Sequence, residues 1–124
     1  MLFRSVQAAS LALEAAQSPD VELRDTATRA IGKFAESIPP AQLTEALRRQ
    51  FIERLQASLA DPNAGIRAKA VRSLGKLAKH GHLPRAEGET LKTACHRILG
   101  SDEHFEWDRA YIVRKEAEEA LRYV

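Results

Sequence analysis

Four basic residues on two predicted helices form the first group in this chain whose types and spacing suggest chemistry. Arg29 and Lys33 are repeated 43 residues later as Arg72 and Lys76, and Lys69 lies nearby. If the two segments stack, these side chains form a basic grid. Arginine offers a planar fork and lysine a mobile point charge, so the grid could receive an acidic segment of a protein partner or a phosphate backbone. A solvated helix face balanced by neighbouring acids explains the same pattern.

A second candidate is an acidic segment that contains two large aromatic residues. Phe105 and Trp107 lie within residues 102–108, together with four acidic residues. Such aromatic side chains could seat in a groove of a partner or receive a basic peptide. Alternatively, the two rings fold back and close the end of the molecule, because tryptophan is usually largely buried. Asp108 is expected to cap the last helix.

The histidine and cysteine residues predict no metal site. His80 and His82 lie in one predicted loop, whereas Cys95 and His96 lie on a helix, and the matched set of four ligands that a zinc site needs is missing. The sequence also has no glycine-rich phosphate loop and no nucleophile motif. We therefore expect no catalytic residue, no metal and no other cofactor.

Length and composition narrow the remaining classes of protein. The chain has 124 residues, a net charge of +2 and a single cysteine, so an internal disulfide is impossible. Its length is typical of one domain, and no apolar run approaches the length of a membrane span. We expect a single cytoplasmic domain over residues 1–124 that does not bind a membrane.

An apolar residue followed by arginine recurs three times and defines the elements that must position these candidates. The pairs begin at Leu23, Ile66 and Val113, at intervals of 43 and 47 residues. Small and apolar residues follow at matched offsets: Ala27, Ala70 and Ala117, then Ile31, Leu74 and Leu121. A period of about 40 to 47 residues indicates a stacked helical-repeat array with two or three helices per unit. Leu23, Ile66 and Val113 are therefore expected to occupy equivalent interior environments.

Apolar residues at helical spacing before and after each pair make each unit a helical hairpin. The units are predicted at about 1–38, 41–80 and 85–124, and the second opens with a long helix that starts near Ala41. Turns that contain Pro19 and Pro62 break the incoming helices. The third turn is about six residues longer, as expected for a surface loop. This pattern predicts an all-α, right-handed α-α superhelix of three antiparallel hairpins, with about six helices.

Two glycines at matched helix positions point to close packing between the units. Gly32 and Gly75 both follow the apolar-arginine pair by the same number of residues. A glycine inside a helix costs ~1 kcal/mol relative to alanine, so the pair indicates a packing requirement.

The second unit resembles the HEAT-repeat family, including the variant first noted in bilin lyases. The resemblance lies in the turn Asp61-Pro62-Asn63, the pair Ile66-Arg67 and the later Leu74-Gly75. The first unit matches this pattern nearly as well, and the third lacks the glycine and the short turn. The resemblance implies that the repeated arginines bridge to acidic or carbonyl groups of the neighbouring unit. These residues are Arg24, Arg67 and Arg114.

These observations favour a non-catalytic scaffold for protein–protein interaction. The expected partner is a protein or peptide, with an acidic segment as one option for the basic grid. Nucleic-acid binding through the basic face is an alternative, and the resemblance adds a lyase or glycosylase-type enzyme as another. An array normally ends in a polar capping unit, which neither end of the sequence offers clearly, so we also expect a longer parent array or a homo-oligomer.

Overall fold

Residues 2–124, which the structure describes, fold as six α-helices arranged in three hairpins. A computed structural model describes residues 2–124, and the side chains from Val6 onward. The helices in this part of the chain are α1 (Leu2–Ala15), α2 (Val21–Ser37), α3 (Glu45–Ser58), α4 (Ala64–Lys79), α5 (Arg85–Leu99) and α6 (Tyr111–Ala120). Two 3-10 turns, Pro40–Gln42 and Leu121–Tyr123, complete the regular structure, and the described residues contain no strand. The prediction of an all-α fold with about six helices is confirmed.

Short polar side chains fix where the helices begin. Asp20 accepts hydrogen bonds from the backbone amides of Glu22 and Leu23, and Asn63 accepts one from Ile66. These caps satisfy amides that have no partner within the helix. At the other end of a helix, Gly100 adopts a φ of 72° and terminates α5, a conformation that residues with a Cβ rarely adopt.

The predicted start of α3 near Ala41 is wrong by four residues. Pro40–Gln42 forms a 3-10 turn instead, and α3 begins at Glu45 after Thr44, whose hydroxyl accepts a hydrogen bond from the Leu47 amide. Leu43 precedes the helix and is nevertheless buried. The apolar spacing was therefore correct, whereas the position of the cap decided the boundary.

The even-numbered helices stack side by side, and α4 lies in the middle. It packs against α2 on one side and α6 on the other, while α1, α3 and α5 each pack on the second helix of their own hairpin. The right-handed superhelical path stays a prediction.

Small residues allow the central helices to approach closely, as the sequence predicted. A Cβ on Gly32 would lie 2.6 Å from the Ser73 hydroxyl oxygen, and one on Gly75 would lie 3.1 Å from the Cβ of Ala120. Both distances are shorter than ordinary van der Waals contact. Ala27, Ala70 and Ala117 are all buried as well.

The expectation of equivalent environments for the three apolar residues before arginine is wrong for Leu23. Ile66 and Val113 are fully buried, but the Leu23 side chain is 48% exposed. Ile66 and Val113 lie on the sides of α4 and α6 that pack against the preceding hairpin. Among the described residues, no helix covers the corresponding side of α2. Leu2, which shares the helical spacing of the apolar residues of α1, lies outside the residues whose side chains are described.

None of the described helices combines the length and the apolar character needed to cross a bilayer.

Candidate binding surfaces

Two of the repeated arginines each join one hairpin to the next through a pair of hydrogen bonds to an aspartate. Arg24 donates from Nε and Nη2 to the two carboxylate oxygens of Asp61, at 2.7 and 3.2 Å. Arg67 makes the same contact with Asp108, at 2.8 and 3.0 Å. A planar guanidinium matches both oxygens of a carboxylate, so these contacts fix orientation as well as distance.

The third nitrogen of each arginine binds the turn of its own hairpin. Nη1 of Arg24 donates to the Ser18 carbonyl at 3.0 Å, and that of Arg67 donates to the Asp61 carbonyl at 2.9 Å. Arg114 repeats this contact with the Asp108 carbonyl at 2.7 Å. In the described part of the chain, no carboxylate lies within salt-bridge distance of Arg114. Each arginine thus braces its own turn, and two of the three also bind the next one.

The paired carboxylates are stabilised in their charged forms. The hydrogen bond from Arg24 lowers the pKa of Asp61, and that from Arg67 lowers the pKa of Asp108. Both carboxylates also accept a backbone amide two residues later, from Asn63 and Ala110 respectively. Asp108 is therefore not the helix cap that the sequence suggested, because Ala110 occupies that position. Its role could have been found from sequence, since Asp61 and Asp108 both stand six residues before a repeated arginine.

The basic grid is partly neutralised by acidic side chains. Lys69 forms an ion pair with Asp25 at 2.9 Å, and Lys76 forms one with Glu36 at 2.7 Å. Arg29, Lys33 and Arg72 are exposed, and the described residues place no carboxylate within salt-bridge distance of them.

The groove beside α4 carries charges of both signs. Arg72, Lys76 and Lys79 line it together with Glu116 and Glu119. Lys79 also lies over the ring of Tyr123, at 5.6 Å from its centre. This surface is therefore mixed in charge, as expected for a helix face balanced by neighbouring acids, and Glu116 and Glu119 come from a different hairpin.

The long turn between α5 and α6 holds two aromatic side chains in solvent. We call residues 101–110 the aromatic loop. Phe105 is 78% exposed and Trp107 is 63% exposed, so the expectation that the rings fold back and close the end of the molecule is wrong. Phe105 also has a φ of 54°, an uncommon conformation for a residue with a Cβ.

The base of the aromatic loop is firmly attached to the helices. The Asp108 amide donates to the Ile98 carbonyl at 2.8 Å, while the Asp108 carboxylate binds Arg67. The Trp107 Cβ lies against Gly100, where an added Cβ would stand 3.2 Å from it. The exposed rings therefore project from an anchored segment.

A cleft lies beside Trp107. Its volume is about 330 Å³, and Leu59, Ala94 and Ile98 are its apolar lining residues. Arg97, Glu106 and Asp108 also line the cleft, so it carries one positive and two negative charges. The cleft thus offers apolar contact next to an exposed indole ring, with polar groups that could orient a peptide.

The histidine and cysteine side chains, for which the sequence predicts no metal site, have different surroundings. His82 is buried and its Nε2 lies 3.2 Å from the Ala35 carbonyl, while His96 binds the Ser101 hydroxyl. Burial lowers the pKa of His82 and raises the pKa of the Cys95 thiol to about 12. The described residues contain no group of three or more side chains placed to hold a metal ion. The buried role of His82 was missed from sequence, because a Gly-His-Leu-Pro segment resembles an ordinary loop.

Comparison with known proteins finds no matching family model, no matching curated protein and no matching solved structure.

Proposed function

We propose that this chain is a HEAT-like helical-repeat scaffold, following a right-handed superhelix, that binds a protein partner through the aromatic loop. The observation that carries the proposal is the exposure of Phe105 and Trp107 on a segment whose base is fixed. Monomeric proteins rarely expose large contiguous apolar patches, and such patches mark interaction sites. Tryptophan in particular is enriched among the residues that dominate binding energy.

The attachment of the loop supports binding because it reduces the entropy lost on association. A mobile loop would have to be ordered by its partner, at a cost in affinity. Here the ion pair from Arg67 to Asp108 and the hydrogen bond to Ile98 hold the loop before a partner arrives. The cleft beside Trp107 then receives an apolar side chain of the partner, while the indole ring covers it.

The basic grid supports a nucleic-acid partner less well. Two of its five cations are already paired, and the neighbouring groove contains Glu116 and Glu119. Binding to a phosphate backbone depends on a field of one sign. We expect labelled duplex DNA to show no binding that falls steeply with salt, and the variant Arg72→Glu to behave as the unmodified chain.

A comparison of three forms of the chain tests the proposed function. The unmodified chain, the double variant Phe105→Ala/Trp107→Ala and the control Val21→Ala are immobilised and exposed to extract from the source cells. Val21 is a suitable control because it is also an exposed large apolar residue, but lies at the start of α2. We expect a partner that is retained by the unmodified chain and the control and lost by the double variant.

The captured partner is then purified and titrated by calorimetry. Trp107→Ala is expected to weaken binding by roughly 30-fold, about 2 kcal/mol, as for a central aromatic contact. Circular dichroism should show unchanged helicity, since both rings lie in solvent. Equal affinity of the unmodified chain and the double variant for every purified partner would contradict the proposal.

A further inference from the structure

The two outer edges of the helix stack differ in character. On α4, Ala68, Val71 and Gly75 are buried on the side that meets α6. The matched positions 47 residues later are Lys115, Glu118 and Arg122, and all three are exposed. Charged side chains are almost never fully buried unless they are paired. The edge formed by the third hairpin is therefore built to face water.

The opposite edge carries mainly small and apolar side chains among the described residues. Ser73 and Lys69 of α4 reach back to Thr28 and Asp25 of the first hairpin. On α2, the residues that match Ser73 and Lys69 are Ala30 and Thr26, 43 positions earlier in the chain. Leu23 matches Ile66 and lies on the same side of α2 as Ala30 and Thr26. On α1, Ser10 and Glu14 line the groove toward α3, so helical periodicity puts Ala8, Leu11 and Ala15 on the other side. We define the N-terminal edge as Ala8, Leu11, Ala15, Leu23, Thr26 and Ala30.

This edge lacks the group that a further unit of the same kind would bind. Asp61 and Asp108 accept hydrogen bonds from the arginine of the preceding hairpin, and Ser18 stands at the matched position of the first hairpin. The Ser18 hydroxyl accepts a hydrogen bond from the Asp20 amide, and the Ser18 carbonyl accepts one from Arg24. A preceding arginine would find no carboxylate there. The N-terminal edge therefore suits a different kind of contact.

We propose that the N-terminal edge binds the same edge of a second copy of this chain, with the two α2 helices antiparallel. Glu22 and Lys33 lie at opposite ends of the exposed side of α2, eleven residues apart, which is about three helical turns. A two-fold axis between the helices brings Glu22 of each copy to Lys33 of the other. Thr26 and Ala30 are small and lie at the centre of this contact, where they permit close approach. Leu23 is then covered, as Ile66 and Val113 are within the chain.

The charge pattern distinguishes this arrangement from a continued parallel stack. In a parallel arrangement, Glu22 would face the N-terminal end of the neighbouring helix, and Lys33 would face the C-terminal end of that helix. In the antiparallel arrangement, each acid meets a base, and the interface is isologous, the commonest form in protein dimers. The dimer would place its two aromatic loops at opposite ends, because each loop belongs to the third hairpin. This inference does not depend on what the aromatic loop binds.

Sedimentation equilibrium on the full chain tests the proposal over a range of micromolar concentrations. We expect a reversible equilibrium between one and two copies. Leu23→Lys should raise the dissociation constant at least tenfold, since it buries a charge at the contact. Glu22→Lys should weaken association because two lysines then meet, and the double variant Glu22→Lys/Lys33→Glu should restore it.

Two controls separate this proposal from the others. Glu118→Lys changes charge on the opposite edge and should leave the dissociation constant unchanged, as should Phe105→Ala/Trp107→Ala in the aromatic loop. Circular dichroism establishes that each variant is folded. A chain that stays monomeric at every concentration, a dimer insensitive to Leu23→Lys, or a double variant that fails to restore association would each overturn the proposal.

Discussion

The junction between the first and second hairpins and the junction between the second and third use the same central contacts. Each has one arginine bound to both oxygens of an aspartate, Arg24 with Asp61 and Arg67 with Asp108. Each also has a glycine packed against a small residue of the next even-numbered helix. Gly32 packs against Ser73 at the first junction, and Gly75 packs against Ala120 at the second. The contacts at the centre of the junction therefore recur with the repeat.

The two junctions differ at their rims. At the first, Lys76 forms an ion pair with Glu36, whereas the matched residues at the second are Tyr123 and Lys79, in a cation–π contact. His82 bonds to Ala35 only at the first junction. The helix spacing therefore constrains the central residues, while residues at the rim can vary as long as they remain favourable pairs.

Enlarging the two glycines should produce the largest effect on both junctions. The Cβ of Gly32→Val would lie 2.6 Å from the Ser73 oxygen, and that of Gly75→Val would lie 3.3 Å from the Ala120 Cα. Because the helices would have to separate, we expect each variant to lower the free energy of unfolding by about 3 kcal/mol in urea titrations. Gly88→Ala is the control, since only Val124 lies near that position, at 3.8 Å. Losses at Gly32 and Gly75 no larger than at Gly88 would show that close approach is not required.

Removing the aspartates should have the next largest effect. Asp61→Ala and Asp108→Ala each take two hydrogen bonds from a half-buried arginine, so we expect a loss of about 2 kcal/mol for each in chemical denaturation. Glu103→Ala is a suitable control because that side chain is 88% exposed. Similar losses would establish that the two junctions are equivalent at their centres. A negligible loss for Asp108→Ala alone would show that the longer loop can replace the contact.

Acid should weaken the first junction before the second. Burial lowers the pKa of His82 in the folded chain, so the unfolded chain takes up a proton first. The contribution of His82 to the free energy of unfolding is therefore fully present above the pKa of an unfolded histidine, about 6.5. It falls as the pH drops below that value, by at most about 1.4 kcal/mol per pH unit. We expect thermal unfolding to show this loss between neutral and mildly acid pH, and His82→Gln to reduce the dependence. The lowered pKa values of Asp61 and Asp108 give a separate loss at lower pH, below the unfolded pKa of about 3.9. An unchanged slope in His82→Gln would contradict this assignment.

Changes at the rims should have the smallest effects. Lys76→Ala removes an ion pair that is partly exposed, and Tyr123→Ala removes a cation–π contact, so each should cost about 0.5 kcal/mol. Added salt should reduce the difference between Lys76→Ala and the unmodified chain, because it screens the ion pair. Losses as large as those at Asp61 and Asp108 would contradict the division into centre and rim.

Much of the fold could be predicted because its signals are local. Asp20 and Asn63 act within one turn of the helices that they begin, and the buried alanines follow helical spacing. The candidate surfaces were harder to predict. The pairing of Lys69 and Lys76 with acids depends on which residues a neighbouring hairpin brings close, and the exposure of Phe105 and Trp107 depends on the path of a loop.

The helices, their grouping into three similar hairpins and the small residues at their contacts follow from the order of the amino acids, because periodicity and capping act over a few residues. The packing of the hairpins fixes two further features: Leu23 is exposed while Ile66 is buried, and Asp108 binds Arg67 instead of capping a helix. The reason is that matched residues have the same local surroundings but different neighbours in space. A residue on an outer edge of the stack has a neighbouring hairpin on one side only.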